Sequence, residues 1–275
     1  MLREIKNGVF LFYLLASSVL ILLPLAHILF SVSANGLPVL MSRGMEFLTS
    51  TLPGPNKPGG GIFPAIFGTF TMVFLSSLIG IPLAILAGVF IAEYPKSIIS
   101  NLARPLMLIM LEFPTILVGL FVMVVVVIPM GTFSAIAGAI ALAIIMLPYV
   151  TTYTEQAMRT VPESYKEGAY ALGLKKARVV FAITMRLARK GILTGMLIGM
   201  AKVAGETAPL IFTAGIAWRS IGGINEPTGA IPLWIYYLVQ QPYANYHEMA
   251  WGAAFILMLI FLAVFLPVRL MMVRS

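Results

Sequence analysis

The run VFLFYLLASSVLILLPLAHILFSV, residues 9–32, contains no charged side chain. A helix needs about 20 apolar residues to cross the hydrocarbon core of a bilayer, and this run is long enough to do so. It is also longer than the apolar segment of a signal peptide, so we expect it to remain in the protein as a membrane anchor.

Similar apolar stretches follow along the chain at residues 62–92, 106–128, 133–150, 191–214 and 249–272. The 275 residues are 60% hydrophobic and only 10% charged, whereas soluble domains carry about 25% charged residues. None of the stretches alternates apolar and polar residues, so helices are expected rather than strands. The sequence therefore predicts an all-α integral membrane protein with six transmembrane helices in a single domain, residues 1–275.

Lysine and arginine are distributed unequally between the two sides that these spans create. Fourteen lie on one side: Arg3, Lys6, Lys96, Arg104, Arg159, Lys166, Lys175, Lys176, Arg178, Arg186, Arg189, Lys190, Arg269 and Arg274. Three lie on the other: Arg43, Lys57 and Arg219. Because basic loops remain in the cytoplasm, we predict a multi-pass protein of the cytoplasmic membrane with both termini inside. The net charge of +8 then marks cytoplasmic loops, and no binding of nucleic acid is expected.

The composition also excludes whole classes of chemistry. All ten acidic residues are glutamates and there is no cysteine, which excludes disulfides, thiol nucleophiles and acid–base pairs built on aspartate. The two histidines, His27 and His247, are too few and too far apart for a metal cluster. The chain lacks the Walker A glycine loop, His-Glu-x-x-His and Gly-x-Ser-x-Gly. We therefore expect no enzyme activity, no cofactor and no metal, with any ATP hydrolysis on another polypeptide.

The long cytoplasmic loop, residues 151–190, has the pattern of a folded segment. Thr160 to Glu163 match a capping box with proline in the first turn, which predicts a helix that starts there. Gly173 stands where a glycine commonly ends a helix. A second, amphipathic helix is predicted over about residues 175–190. This loop is either a surface helix on anionic membrane lipid or a docking helix for a cytoplasmic partner.

The fifth span, residues 191–214, contains two charges, Lys202 and Glu206. Both fall within roughly 80° of one helical face that carries three glycines at four-residue spacing. These glycines are Gly191, Gly195 and Gly199. Because small residues at this spacing let another helix approach closely, we expect the charges to point into the protein. Either the pair neutralises itself and fixes helix packing, or Lys202, Glu206 and Thr207 line the path of an anion.

Three further segments carry predictions. Glu112 precedes Phe113-Pro114 in the third span and either lines the path or caps backbone that Pro114 frees. Residues 33–61 are rich in proline and glycine towards their end, so we expect an irregular external loop. Residues 231–240, with Trp234, suit a short helix that lies in the membrane interface.

Two motifs resemble those of a known family. Glu167-Gly168-Ala169, with Gly173 after it and Ile183 ten residues later, resembles the EAA loop of ABC importer permeases. Here Gly168 replaces the usual second-position alanine. Gly205-Glu206-Thr207-Ala208-Pro209 resembles the motif of the PstA family, the membrane subunits of phosphate ABC importers. Members of that family often carry arginine where Lys202 stands.

The resemblance implies the six-helix fold of type I ABC importers, with Glu167, Gly168, Ala169 and Gly173 in a coupling helix seated on a separate ATPase. It further implies import of inorganic phosphate by a heterodimer with a PstC-like permease. A PstB-like ATPase dimer would drive this heterodimer, and a PstS-like phosphate-binding protein would supply it. The nearest alternative is a permease for another oxyanion or solute, such as molybdate, sulfate or phosphonate. An ion-coupled secondary transporter is an alternative of another class, which has no need of an EAA-like loop.

Overall fold

The computed structural model describes residues 2–273, and over this range the chain is helical and has no β-strand. The predicted all-α class is thereby confirmed, while Arg274 lies outside the described residues. The helices are α1 Leu2–Arg43, α2 Met45–Thr49, α3 Phe63–Glu93, α4 Ile98–Leu111, α5 Thr115–Val122, α6 Ile128–Met130, α7 Ala135–Arg159, α8 Glu163–Ala171, α9 Lys176–Arg178, α10 Met185–Ala204, α11 Ala208–Ile211, α12 Ile231–Leu238 and α13 Ala244–Val273. Turns of π-helix, Met123–Val127 and Val179–Thr184, join α5 to α6 and α9 to α10.

By length and composition, four of the described helices can cross a membrane: α1, α3, α7 and α13. A fifth candidate is a bent pair, Ile98–Leu111 with Thr115–Met130, whose halves meet at 105°. The remaining predicted span corresponds to α10, whose first turns carry Arg186 and Arg189. These regions are consistent with six spans, although two of the spans are not single helices.

Two of the predicted spans are interrupted next to a proline. The third span, predicted as residues 106–128, is interrupted between α4 and α5 at residues 112–114. Pro114 has no N–H to donate, and it disfavours helical backbone at the residue before it. The fifth span, predicted as residues 191–214, is helical from Met185 only to Ala204, and Pro209 lies in the first turn of α11 after another break.

The connections on the predicted external side also differ from expectation. Because α1 continues to Arg43, the irregular segment is residues 50–62 and not residues 33–61. The helix α12 forms as predicted, but Trp234 at its centre is fully buried. This helix therefore packs one face into the protein, while Tyr236 on the same helix is 44% exposed.

In the loop between α7 and α10, the capping-box prediction is wrong and the glycine prediction is confirmed. Thr160 ends α7, since its Oγ1 donates to Ala157 O at 2.8 Å, and Pro162 is the residue that precedes α8. Gly173 has φ +76°, a backbone conformation that favours glycine after a helix. The predicted second loop helix is not a separate element, because residues 176–184 continue directly into α10.

At the centre of the molecule, α7 lies between α3 and α10, and glycines bring these helices close. A Cβ on Gly88 of α3 would lie 2.6 Å from Thr154 Cβ, and one on Gly199 of α10 would lie 2.8 Å from Val150 Cγ2. The glycine face predicted for the fifth span thus packs against another helix, as expected.

The two ends of this bundle differ in character. The aromatic end, residues 44–62 and 213–247, contains the buried side chains of Phe47 and Trp234. The basic end, residues 93–97 and 155–190, contains α8 and three of the ion pairs that the described residues form. α3 runs from the aromatic end to the basic end, and α7 runs the same way, so both helices connect the two.

Candidate functional site

Lys202 lies in the last turn of α10, and Glu206 lies in the non-helical segment that follows. Lys202 Nζ is 2.7 Å from Glu206 Oε1. Glu206 N donates to Val203 O at 3.2 Å, so the backbone makes one more turn after the helix has ended. A cation in the last turn is also stabilised by the partial negative charge of the helix C-terminus. The predicted pairing of the two charges is present.

The two partners differ in exposure. The side chain of Glu206 is 8% exposed, whereas that of Lys202 is 42% exposed. Glu206 therefore points into the protein, as expected, whereas Lys202 is only partly covered by this chain.

The two helix breaks lie close together. The helix α5, which follows the first break, packs against α11, which follows the second: a Cβ on Gly119 would lie 2.6 Å from Pro209 Cα. Beside them is a cavity of about 150 Å³, to which Glu112, Tyr149 and Lys202 contribute the ionisable groups. Apart from Thr115, the rest of its lining is apolar.

The depth of this cavity matters for its chemistry. Tyr149 lies in the interior of α7, well away from either end of that helix, so the cavity lies between the two ends of the bundle. A lysine at mid-depth that faces hydrocarbon costs about 2.5–3.5 kcal/mol. The exposed part of Lys202 therefore requires water or another polypeptide beside it.

Of the residues predicted for this site, some line the cavity and others do not. Glu112 is exposed on the cavity lining, and its backbone N–H also closes α4 by donating to Ile109 O at 3.2 Å. Thr207 is half-buried and does not line the cavity. Sequence reasoning missed Tyr149. Its hydroxyl directly after Pro148 in an apolar span is a signal that could have found it.

The second group of candidate residues lies on α8, at the basic end. Glu167 and Gly168 are exposed, while Ala169 is 4% exposed and packs α8 against the π-helical turn at residues 179–184. Gly173 ends the element: its N–H donates to Tyr170 O at 2.9 Å. The helix thus presents Glu167 and Gly168 outward from the bundle.

Two large apolar side chains beside these residues were also missed. Tyr165 is 55% exposed and Leu172 is 82% exposed, although both belong to the most polar segment of the chain. Single exposed apolar side chains are common on protein surfaces, so these two residues alone do not mark a binding site.

The chain is similar to known membrane subunits of transport systems. Residues 80–274 match the family described as binding-protein-dependent transport system inner membrane component. A probable phosphate transport system permease protein PstA of Methanocaldococcus jannaschii is 56% identical over 270 residues, which cover 98% of this chain and 94% of that protein. The phosphate transport system permease protein PstA of Yersinia pestis is 38% identical over 260 residues, covering 94% and 86%.

A solved structure resembles the fold. An inward-facing conformation of the MetNI methionine ABC transporter superposes with a TM-score of 0.58 at 19% identity. The superposition covers 75% of this chain and 92% of that one.

Proposed function

This chain belongs to the family of binding-protein-dependent transport system inner membrane components. We propose that it serves as one membrane subunit of an importer of inorganic phosphate. It is a permease of the phosphate transport type and not an enzyme, with ATP hydrolysed by a separate subunit. In this proposal Lys202 and Glu206 line the path of the anion, and α8 receives the ATPase.

The observation that carries the path assignment is the unequal exposure of one ion pair. Glu206 is buried by its own chain, whereas Lys202 reaches a cavity at mid-depth and remains 42% exposed. A pair that serves packing alone gains nothing from leaving its cation open at this depth, where hydrocarbon contact is costly. An open cation is suited to attract an anion, and Glu206 neutralises it when no anion is present.

Glu112 and Tyr149 complete the proposed path beside Lys202. The hydroxyl of Tyr149 can donate a hydrogen bond to a phosphate oxygen. The carboxylate of Glu112 repels the anion, which keeps phosphate from binding too tightly beside Lys202. Thr207 has a lesser role in this proposal, because its side chain lies outside the cavity lining.

The proposed assembly follows from the incomplete wall of the cavity beside Lys202. This cavity is open on the side of Lys202, so we propose that a PstC-like permease covers it and forms the other wall. A PstB-like ATPase dimer would bind Glu167, Gly168 and Ala169 of α8 together with Gly173 after it. A PstS-like protein would deliver phosphate at the aromatic end. The basic end then faces the cytoplasm, with both termini on that side.

The test uses the complex of all four kinds of subunit in proteoliposomes. We expect its ATPase activity and its uptake to be stimulated by phosphate and not by sulfate or molybdate. Stimulation by another oxyanion in place of phosphate would contradict the substrate assignment and favour a permease for that anion.

The same assay tests the ion pair. Lys202→Met together with Glu206→Gln removes both charges, so no lone buried charge destabilises the protein. The complex should assemble, yet phosphate uptake should be lost. Lys202→Arg is the matched control, and it should retain uptake because the positive charge is kept. Near-normal uptake in the double variant would mean that the pair only fixes packing.

A further inference from the structure

Two neighbouring residues at the end of α3 each contact a lysine of the segment 163–178. Lys166 Nζ on α8 lies 3.3 Å from Glu93 Oε1. Lys176 Nζ on α9 lies 3.8 Å from the centre of the Tyr94 ring. The two lysines stand on opposite sides of Gly173, so this segment is attached to α3 both before and after its turn.

The ion pair of Lys166 and Glu93 is the better shielded of these contacts. The two side chains are 15% and 7% exposed, whereas Glu163, the other carboxylate near Lys166, is 70% exposed. Glu93 Oε1 is itself buried and accepts no hydrogen bond from the described residues, so the charge of Lys166 is what compensates it. A buried carboxylate that loses its cation is strongly disfavoured, so the pair keeps α8 at a fixed place on α3.

Among the ion pairs that the described residues form, this one joins α8 to a helix that can cross the membrane. α8 is otherwise held by the chain that follows α7 and by the buried Ala169. The carboxylate on α3 therefore supplies a second anchor, on a different transmembrane helix from the one that leads into the loop.

α3 itself is unbroken from Phe63 to Glu93, unlike the spans that are interrupted beside Lys202. It is fixed to α7 at mid-length, where Thr151 Oγ1 donates to Ala84 O at 3.2 Å. At the aromatic end, Ile231 N donates to Thr69 Oγ1 at 2.8 Å. A displacement of its basic end is thus carried along one continuous helix to the opposite end.

We infer that Glu93 and Tyr94 are positioning residues that transmit the displacement of α8 to α3, so that α8, α3 and α7 move as one body in each ATP cycle. This inference rests on the proposed function, in which α8 receives the ATPase. Glu93 and Tyr94 touch neither phosphate nor nucleotide. Their role is to prevent α8 from moving without the transmembrane helices.

The first experiment measures phosphate imported per ATP hydrolysed by the four-subunit complex in proteoliposomes. Lys166→Met and Glu93→Gln each should lower this ratio by about fivefold or more, the lower range of coupling between two sites, while the ATPase still runs. Exchanging the charges, with Lys166→Glu and Glu93→Lys in one chain, should restore most of the ratio. Glu163→Gln is the matched control, since it removes the exposed carboxylate near Lys166, and it should change nothing.

The second experiment uses the absence of native cysteine from this chain. Glu93→Cys with Lys166→Cys removes the ion pair, and a short thiol-reactive cross-linker can then join α3 to α8 again. Import per ATP should be low before cross-linking and should rise towards the wild-type ratio after it. If α8 instead has to move relative to α3 in each cycle, cross-linking will stop import, and the inference is wrong.

The outcomes separate the inference from the proposed function. A wild-type complex without phosphate-stimulated ATPase activity contradicts the proposed function. Normal coupling in the wild type, together with assembled single variants that import as much phosphate per ATP as the wild type, contradicts the inference alone. A single variant that fails to assemble is replaced by the cysteine pair, whose cross-linked form restores the anchor.

Discussion

The aromatic end and the basic end of this molecule are held together by different forces. At the aromatic end, Phe47 and Trp234 are fully buried, and loop backbone is paired, as where Ile62 N donates to Phe47 O at 2.9 Å. At the basic end, a smaller apolar cluster that includes Met158 is surrounded by ion pairs, several of them between partly exposed side chains, such as Arg159 with Glu155 at 2.9 Å. Close packing resists any displacement, whereas ion pairs near water exchange partners at little cost.

The difference indicates that the aromatic end is the stiffer of the two within itself. The basic end carries α8 with its exposed apolar side chains and holds it to α3 through the shielded pair of Lys166 with Glu93. An importer needs such an asymmetry if one end receives mechanical work and the other holds a stable surface. Four experiments test this difference between the aromatic end and the basic end.

The largest effect is expected from Trp234→Ala at the aromatic end. Loss of a fully buried tryptophan side chain costs about 3–5 kcal/mol through lost burial and the cavity that remains. Complex yield and thermal stability in detergent should fall sharply. Trp251→Ala is the matched control, because Trp251 is 39% exposed, and it should have little effect. Equal losses in both variants would contradict a stiffer aromatic end.

A smaller effect is expected from one added methyl group at each end. Gly68→Ala places a Cβ against the backbone carbonyl of Gly229, which cannot move aside, so we expect a loss of about 1–3 kcal/mol. Gly168→Ala on α8 meets no atom within 4 Å and should instead stabilise that helix by about 0.5–1 kcal/mol. Thermal unfolding of the two variants in the same detergent measures both changes. Equal changes in the unfolding temperatures of the two variants would contradict the proposed difference between the two ends.

The third experiment acts on the turn that ends α8. Gly173→Asp forces a side chain into a conformation with φ +76°, at about 1–2 kcal/mol, and adds a charge to the proposed docking surface. Membrane insertion should remain normal, while ATPase co-purification and transport fall. Gly168→Asp adds the same charge without the backbone strain, so it separates the two causes. Unchanged ATPase retention in Gly173→Asp would contradict the docking role.

The fourth experiment should leave the protein unperturbed and asks only which end faces the cytoplasm. Lys175 and Lys57 are both exposed, one at the basic end and one at the aromatic end. A single cysteine at Lys57 should react with an impermeant thiol reagent in intact cells, and one at Lys175 should not. Labelling of the cysteine at position 175 from outside would reverse the proposed orientation.

The membrane-spanning helices could be predicted from the sequence, because each one corresponds to a continuous apolar run. The pairing of Lys202 with Glu206 could be predicted for the same reason, since four residues of separation bring two side chains to one face. Gly173 was predictable as well, because few residues other than glycine adopt its backbone conformation.

Features that depend on distant neighbours could not be predicted. Proline sits inside continuous helices at Pro82 and Pro148 but at breaks at Pro114 and Pro209, and composition alone does not distinguish the two cases. The place of Tyr149 beside Lys202 depends on how α7 lies against α10. Thr160 fits a helix start by pattern, yet in the structure it caps the C-terminus of the longer α7.

The long α1 has a consequence for how the protein is made. Its residues 6–30 are exposed along their whole length, and the helix is packed only further on, where a Cβ on Gly36 would lie 2.6 Å from Trp251 O. Arg43 at its end pairs with Glu248 of α13 at 3.3 Å, so α1 packs against a helix that is synthesised much later. Until α13 has followed it, α1 must therefore stay in the bilayer through its apolar side chains alone.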